Sequence, residues 1–405
     1  MQNHIPNGWQ ELKLGEVVDV FDKQRVPIST MERVKIKGNY PYYGASGIVD
    51  HINKYIFDGD YVLVSEDGEN LKTRNTPIAF LVSGKFWVNN HAHIIRAKKE
   101  FLNKYLIAYF SKLSLNPFIT GSAQPKLTQD NLLEVPILLP NAENEQKRLV
   151  TFISSIDDKI AVNNKIVEKL EDMAQTNFKE WFENFHFPGY EKVKFVDSEL
   201  GRIPYEWQVK QIRDVVKINK GLSYSSDEIR EGNDGLPLIN LGNFQRGGGF
   251  KTDGIKFYTG KYNKSHVVTP GDLVIAVTDL TSNREVIGHP ARVPDAGWNK
   301  ILISLDVCAI EADQLLKEFL YYLMLRRDFT YLMASSASGT NVSHLSKSII
   351  EDYMFTLPTD EVIRKFKELV NPLFIHSNRL VMENEKLTTL RDLLLPKLMR
   401  GVIRV

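Results

Sequence analysis

The sequence predicts an α+β protein in which two similar mixed α/β domains are separated by a long antiparallel two-helix coiled coil, with an internal pseudo-twofold repeat. Three observations support this prediction. The chain has 405 residues, more than one ordinary domain contains. Segments of its first half return in its second half, and each copy is followed by a long stretch with the hydrophobic period of a helix.

Four segments of the first half return in the second half in the same order. Residues 5–20 (IPNGWQELKLGEVVDV) match 203–218 (IPYEWQVKQIRDVVKI), 59–67 match 271–279, 103–110 match 317–324, and 121–140 match 339–358. The offset between the copies grows along the chain, as expected for a duplicated unit with longer loops in its second copy. Because the repeat length is roughly 200 residues, far above that of solenoids, each copy should be a whole domain with an attached element.

Each copy has the residue pattern of a mixture of strands, helices and loops. Stretches rich in β-branched and aromatic residues predict strands at 61–65, 78–82, 86–97, 273–278 and 301–310. Helical spacing is present at 103–110 and 316–329. The Gly-, Asn- and Pro-rich segments EDGENLKTRNTP (66–77) and NFQRGGGFKTDG (243–254) predict loops.

The stretch after each copy has apolar residues at every third or fourth position, which predicts a long helix. Neither helix has a partner of its own for this narrow stripe, so the two are expected to pack on each other as an antiparallel pair. Pro372 should kink the second helix or mark its first turn. The residues predicted to pack the pair are Ile156, Ile160, Asn163, Val167, Leu170, Leu380, Asn384 and Leu387.

Two of these residues, Asn163 and Asn384, are polar. An asparagine at a coiled-coil core position can fix the register of the helices at a cost in stability. The alternative is that both residues lie at the solvated edge of the stripe. The sequence leaves both interpretations open.

Composition is typical of a globular protein but not of a basic one. The formal net charge is +1, so any nucleic-acid contact must come from local positive charge. Cys308 is the only cysteine; this excludes a disulfide framework and a cysteine zinc site and indicates a buried, inert thiol. Neither a signal-peptide pattern nor a run of about 18 apolar residues is visible, so we expect a cytoplasmic protein.

Several motifs, taken together and in order, resemble those of type I restriction–modification specificity subunits over the whole chain. They are the I-P-x-x-W segment that opens each copy, residues 40–68 (YPYYGASGIVDHINKYIFDGDYVLVSEDG), residues 121–140 followed by Glu145 and Gln146, FKEWFENF at 178–185, and LLLPKLMRGVIRV at 393–405. The second copy lacks the YGASG phrase and has Ile363 and Arg364 where Glu and Gln are expected. The two domains therefore resemble different subclasses that read different bases.

The resemblance implies a chain that reads DNA and catalyses nothing. Its target would be bipartite double-stranded DNA, with two half-sites separated by unread bases. Two modification (methyltransferase) subunits would bind through the helix pair, and restriction (endonuclease/translocase) subunits would join the full complex. S-adenosylmethionine, ATP and magnesium would belong to those partners. The implied domains are target recognition domain 1 at 1–140, a central spacer helix at 141–186, target recognition domain 2 at 187–358 and a C-terminal spacer helix at 359–405.

Local groups of basic and amide side chains are the candidates for DNA contact. Lysine and arginine bind phosphates, whereas Arg, Asn, Gln and Ser offer donor–acceptor pairs to base edges. Solvated surface loops would have much the same composition, so this interpretation has a plain alternative. The predicted DNA-binding residues are Lys23, Arg25, Lys35, Lys37, Lys72, Arg74, Asn75, Gln124, Lys126, Arg246, Lys251, Lys256, Lys261, Ser282, Asn283, Arg284, Asn341 and His344.

His91 and His93 are two positions apart on a predicted strand, so both should face one side. Further metal ligands are not evident in the sequence, and a packed or hydrogen-bonded pair is the favoured interpretation. No metal site is predicted.

Two other classes of protein compete with a DNA reader. A methyltransferase is disfavoured because the string nearest to its base-holding loop, at 371–374 (NPLF), lacks the second proline and lies in the helical stripe. A coiled-coil interaction scaffold without DNA specificity is the stronger alternative, given the neutral net charge. Affinity that falls steeply with added salt would distinguish a DNA reader from such a scaffold.

If the predicted helix pair sets the separation of the two domains, its length should set the unread spacer of the target. Inserting one heptad into each helix adds about 10 Å of rise, and we expect the preferred spacer to lengthen. Methylation-site mapping with the lengthened chain would measure this. An unchanged spacer would contradict the hypothesis.

Overall fold

A computed structural model describes residues 5–121, 124–230, 232, 234–281, 283–339 and 342–405. The chain divides into two compact units. Unit 1 comprises Met1–Val162 and Asn384–Val405, and unit 2 comprises Asn163–Glu383. Both boundaries between the units fall inside long helices. Each unit mixes strands and helices, which confirms the predicted fold class of two mixed α/β units with a pair of long helices.

Unit 1 is built on two four-stranded sheets, ordered β2-β9-β6-β7 and β4-β3-β8-β5, and on an antiparallel pair of β1 with β12. Its strands are β1 (Trp9–Lys13), β2 (Val18–Val20), β3 (Lys37–Gly44), β4 (Gly47–Ile52), β5 (Phe57–Asp58), β6 (Tyr61–Ser65), β7 (Ala79–Val82), β8 (Lys85–Val88), β9 (Ala92–Ala97), β10 (Ile119–Thr120), β11 (Lys126–Leu127) and β12 (Pro136–Pro140). Its helices are α1 (Leu14–Val17), α2 (Thr30–Lys35), α3 (Asn70–Thr73), α4 (Leu102–Lys112), α5 (Gln129–Leu133) and the first part of α6 (Glu143–Phe178).

Unit 2 contains a four-stranded sheet, β16-β25-β21-β23, a five-stranded sheet, β17-β19-β18-β24-β20, and a β15–β27 pair. Its strands are β13 (Phe195–Ser198), β14 (Gly201–Pro204), β15 (Gln208–Gln211), β16 (Val216–Lys220), β17 (Ile229–Arg230), β18 (Leu236–Ile239), β19 (Lys256–Tyr258), β20 (Val267–Val268), β21 (Leu273–Ala276), β22 (Thr278–Asp279), β23 (Pro290–Arg292), β24 (Ile301–Ile303), β25 (Val307–Ala312), β26 (Ser343–His344) and β27 (Met354–Leu357). Its helices are the last part of α6, α7 (Lys317–Met324), α8 (Arg327–Ser336), α9 (Lys347–Glu351) and most of α10 (Asp360–Met399); the end of α10 belongs to unit 1.

The internal repeat is confirmed by the topology. The sheet order β2-β9-β6-β7 recurs as β16-β25-β21-β23, with the repeated segments GDYVLVSED and GDLVIAVTD supplying β6 and β21. In the second sheet of each unit, one parallel pair is present, β3 with β8 and β18 with β24. The I-P-x-x-W and L-P segments also pair in both units, as β1 with β12 and β15 with β27.

Three predicted elements are divided where the chain turns. The strand expected at 86–97 is two strands, because Asn89 Oδ1 accepts a hydrogen bond from the His91 N–H at 2.8 Å and closes a turn between them. The strand expected at 301–310 is also two strands, joined by a turn closed from the Val307 N–H to the Ser304 carbonyl at 2.9 Å. The helix expected at 316–329 is divided between α7 and α8, since Arg326 has extended backbone. The predicted loop at 66–77 contains the short helix α3.

In each unit a stretch of α6 packs antiparallel on a stretch of α10. In unit 1, Leu149 and Ile153 share a core with Leu395 and Leu398, and Asp157 pairs with Arg391 at 2.8 Å. In unit 2, the rings of Phe178 and Phe366 lie 5.8 Å apart, and the Asn163 amide donates to Glu383 at 3.0 Å. Large aromatic and aliphatic residues thus join the helices to the body of each unit.

The residues of the predicted helical stripe are all buried or half-buried in the structure. Ile156, Asn163, Leu380 and Asn384 are buried, and the remaining members, Ile160, Val167, Leu170 and Leu387, are half-buried. The interpretation of the two asparagines as solvated edge residues is therefore wrong, because each of them is buried.

Pro372 does not mark the first turn of its helix, since α10 begins at Asp360 and continues to Met399. A proline inside a helix leaves the carbonyl of the residue four positions earlier without its usual donor. Both Pro372 and Glu368, the residue four positions earlier, are exposed, so water can bond that carbonyl.

Cys308 is buried, and burial raises the pKa of its thiol to about 11. The predicted burial of the thiol is confirmed, and the raised pKa disfavours the reactive thiolate form. Among the described residues, none of the helices combines the length and apolar character that crossing a membrane requires.

Candidate nucleic-acid interface

Four segments of unit 1 meet beside the end of strand β6. The Gly68 N–H donates to the Pro125 carbonyl at 3.1 Å, the Leu127 N–H to the Glu66 carbonyl at 2.8 Å, and the Glu66 N–H to the His91 carbonyl at 2.9 Å. Arg25 joins them by donating to the Ala92 carbonyl at 2.8 Å. The structure therefore brings together the segments that carry five predicted DNA-binding residues, all exposed: Lys23, Lys72, Asn75, Gln124 and Lys126.

A buried network of ionisable side chains anchors these segments. His93 Nδ1 lies 2.5 Å from Asp22 Oδ2, and His93 Nε2 lies 2.8 Å from the Leu127 carbonyl oxygen. Arg25 Nη1 contacts Glu66 at 2.5 Å, and its Nη2 lies 3.4 Å from Asp22. The His93 side chain is only 1% exposed, so it ties the segment at 22–26 to the segment at 124–127 from within the core.

Asp22, Glu66 and His93 also form a set of potential metal ligands, whose ligand atoms lie within 4.8 Å of one another. These two carboxylates are the partners that sequence reasoning did not find for His93. Arg25 contacts both of them, and Lys126 Nζ lies 3.4 Å from the second oxygen of Glu66. A metal ion would have to displace these cations, so the set fits an ion network better than a metal centre.

The two histidines do not share one environment. His93 lies in β9, whereas His91 lies in the turn that precedes it. His91 contacts a different carboxylate, Asp67, at 2.9 Å, and its side chain is 49% exposed. The expectation that both would face one side of a strand is therefore wrong, although each is hydrogen-bonded.

Three arginines predicted to contact DNA have hydrogen-bond partners within the fold. The Arg25 side chain is 15% exposed and belongs to the buried network. Arg74 donates to the Phe110 carbonyl at 3.0 Å, and Arg284 donates to the Ala334 carbonyl at 2.6 Å. Their guanidinium groups form hydrogen bonds within the fold, and their contact with DNA stays a prediction.

Lys35 and Lys37 lie on α2 and β3, outside the four segments, and both are exposed. Lys37 forms an ion pair with Asp50, which also contacts Arg33 at 3.1 Å. The hydrogen bond from Lys37, together with one from the His51 N–H, lowers the pKa of Asp50 to about 2. The Asp50 carboxylate therefore offsets part of the positive charge that this region would offer to a phosphate.

The equivalent region of unit 2 has the same strand pairing. In unit 1 the backbones of Asp67 and Lys126 form an antiparallel β-bridge. In unit 2 the backbones of Asp279 and Ser343 are antiparallel strand partners. Asp279 is 1% exposed, and its carboxylate accepts hydrogen bonds from the N–H groups of Thr281 and Val286, both at 2.7 Å. Burial alone would raise the pKa of Asp279, but these bonds outweigh burial and lower it. A buried aspartate thus fixes the loop that follows β22.

The predicted residues of unit 2 fall into two groups. Asn283 and His344 are exposed beside the β22–β26 pair, and Arg246, with a side chain 77% exposed, contacts Glu285 of the same loop at 3.0 Å. Lys256 begins β19 in the five-stranded sheet, whereas Lys251 and Lys261 lie in the segments before and after this strand. Lys251 is half-buried and the other two are exposed. Ser282 and Asn341 lie outside the described residues.

The glycine run at 247–249 has a structural cause. All three glycines have positive φ angles, at 84°, 100° and 99°, and a Cβ on Gly248 would lie 2.2 Å from the Leu325 side chain. Glycine is therefore required there by the backbone. Close approach of the run to a phosphate stays a prediction.

Comparisons with known proteins agree with the repeated fold. The family described as type I restriction modification DNA specificity domain matches the chain twice, at 6–172 and 204–375. The MjaIX specificity subunit, a type I restriction enzyme subunit of Methanocaldococcus jannaschii, is 25% identical over 99% of this chain and 95% of its own length. A protein named as a type I restriction enzyme specificity subunit of Haemophilus influenzae is 38% identical over 31% of this chain and 32% of its own length.

A solved structure has the same fold. The S subunit of a type I restriction–modification system from M. genitalium matches with a TM-score of 0.61 at 14% identity, covering 98% of this chain and 97% of that chain. The present protein is thus a DNA-specificity protein with two copies of the specificity domain in one chain. It belongs to the type I restriction–modification DNA specificity family, and its function is sequence-specific DNA recognition in such a system. A scaffold without DNA specificity is not favoured.

Proposed function

We propose that this chain reads a bipartite DNA target, with unit 1 recognising one half-site and unit 2 the other. The observation that carries the proposal is the repeated arrangement: in each unit an aspartate that follows the repeated strand pairs with the segment carrying Lys126 or His344. Exposed amide and basic side chains lie beside this pairing in both units. Their chemistry suits phosphate and base-edge contacts.

The chain itself is proposed to be non-catalytic and to act in the cytoplasm, where DNA and partner subunits are present. It would direct two modification subunits, and restriction subunits in a complete enzyme, to the target. S-adenosylmethionine, ATP and magnesium would be bound by those partners. Support comes from the family match, since a subunit devoted to specificity requires other chains for methylation and cleavage.

Mapping of methylated adenines in cells with and without this chain tests the proposal. We expect one interrupted motif, with two defined halves around undefined bases, to be methylated only when the chain is present. A methylation pattern that does not change on removal of the chain would contradict the proposal. Re-expression of the intact chain is the control, and it should restore the motif.

Binding to DNA should also weaken steeply with salt. A protein that neutralises several phosphates releases counterions, so the logarithm of its affinity falls roughly linearly with the logarithm of salt concentration. We expect this slope for the chain assembled with its modification subunits, measured by fluorescence anisotropy on a duplex containing the mapped motif. Affinity that does not depend on salt would favour a protein-binding role instead.

A further inference from the structure

We infer that Arg74 and Arg284 are equivalent positioning residues, one in each unit, which fix a DNA-recognition loop to the body of the unit through hydrogen bonds to main-chain carbonyls. The inference rests on the proposed function and adds to it the residues that hold the reading loops in place. It assigns these arginines an internal role in place of the base contact that the sequence indicated.

The backbone conformation is the first observation. Among the described residues, only Arg74, Phe185 and Arg284 combine a side chain with a positive φ angle. Arg74 and Arg284 have the same value, 54°. This left-handed region is disfavoured for residues with a Cβ, and glycine or asparagine is the usual occupant. This conformation costs free energy, and contacts of the arginine side chain can offset that cost.

The contacts of Arg74 provide that compensation in unit 1. Its guanidinium donates to the carbonyls of Phe110 at 3.0 Å, Ser111 at 3.5 Å and Leu113. These carbonyls lie at the end of α4, where the last turn of a helix lacks internal donors. Arg74 therefore fixes the end of the loop after β6 to the C-terminus of α4. Its guanidinium caps the last carbonyls of α4, as a basic residue in the last turn does within a single helix.

Arg284 makes the corresponding contacts in unit 2. Its Nη1 donates to the Ala334 carbonyl, near the end of α8, at 2.6 Å, and its Nε donates to Ser343 Oγ at 3.2 Å. Ser343 belongs to β26, next to the exposed His344. Arg284 therefore joins the loop after β22, the end of a helix and the strand that carries a predicted DNA-binding residue.

Both arginines follow the same landmark although the loops differ in sequence and length. Arg74 comes seven residues after Asp67 in the loop DGENLKTR, and Arg284 comes five residues after Asp279 in the loop DLTSNR. Asp67 and Asp279 occupy matching positions in the repeated strand segments. A shared conformation and a shared contact in two otherwise different loops point to a common role.

The loops that the arginines hold carry exposed candidates for DNA contact. Lys72 and Asn75 flank Arg74, and Asn283 precedes Arg284. Base readout requires donors and acceptors placed to within about 0.5 Å, which a loop achieves only when it is anchored to rigid elements. Loss of either anchor should therefore relax discrimination between bases more than it weakens phosphate binding.

Substitution of each arginine in the complete enzyme tests the inference, with motif mapping in cells as the readout. We expect Arg74→Gln to lower discrimination at one half-site at least tenfold and to leave the other half-site intact. Arg284→Gln should lower discrimination at the other half-site and leave the first half-site intact. Arg74→Lys keeps a donor and should restore part of the discrimination. The control is Arg202→Gln, since the Arg202 side chain is 72% exposed, and it should change neither half-site.

Folding and function are separated by two further measurements. The amount of each variant in the purified complex shows whether the substituted unit has unfolded. Loss of protein together with an equal loss of discrimination at both half-sites would overturn the inference. Arg74→Gly relieves the left-handed backbone but removes the guanidinium, so full discrimination in this variant would also overturn it. If no motif depends on the wild-type chain, the proposed function fails; if a motif depends on it but Arg74→Gln and Arg284→Gln leave it unchanged, only the positioning role fails.

Discussion

Replacing His93 with alanine is expected to destabilise unit 1 by about 1–3 kcal/mol, because it removes a buried hydrogen-bond partner and leaves buried polar groups unsatisfied. His93 contacts Asp22 at 2.5 Å, and both side chains are almost fully buried, at 1% and 4% exposure. The substitution also removes the bond to the Leu127 carbonyl. Chemical unfolding of wild type and variant, followed by hydrogen exchange at β6 and β9, measures the loss.

His91→Ala is the matched control for this experiment. It removes the same chemical group two residues away, but the His91 side chain is 49% exposed and contacts a single carboxylate, Asp67. An exposed pair contributes about 0–1 kcal/mol, so the control should change unfolding little. Equal destabilisation by the two substitutions would show that the His93 network does not hold unit 1 together.

The contrast between these histidines shows what local sequence can and cannot reveal. Spacing indicated two nearby histidines, but it gave no indication of Asp22, which lies in a separate segment and reaches His93 only through the β2–β9 pairing. Register between distant strands decides which side chains meet, and it is not encoded in a local pattern. Glu66 was missed for the same reason, although it belongs to the repeated segment GDYVLVSED.

The fold was predictable to a much larger extent than the site. Four matching segments required two copies of one domain, and the identical sheet orders confirm this. The helical stripes were predictable because burial follows a fixed period along a helix. The roles of Arg74 and Arg284 were not, since an arginine that reads guanine and one that caps a helix have the same chemistry. Only the φ angle and the carbonyl partners distinguish them.

Exchange of residues 1–140 for the corresponding segment of a relative with another target should change one half-site of the methylated motif and leave the other unchanged. The reason is that the loops of unit 1 that carry Lys72, Gln124 and Lys126 all lie within this segment, whereas those of unit 2 lie outside it. Motif mapping of the chimaera measures the result. The reciprocal exchange of 187–358 should alter the other half-site.

The chimaera must preserve the packing of the core that the exchanged segment shares with the helices. Leu149 and Ile153 of α6 pack in the same cluster as Leu102, Leu106 and Val135, and replacing such a residue by a smaller one leaves a cavity that costs about 2–5 kcal/mol. A donor with aliphatic residues of similar size at the positions of Leu102, Leu106 and Val135 should therefore give a folded chimaera. A second chimaera that also exchanges 141–162 and 384–405 tests this packing directly. If both chimaeras fold and both half-sites change together, the two units do not read DNA independently, and the assignment of one half-site to each unit is wrong.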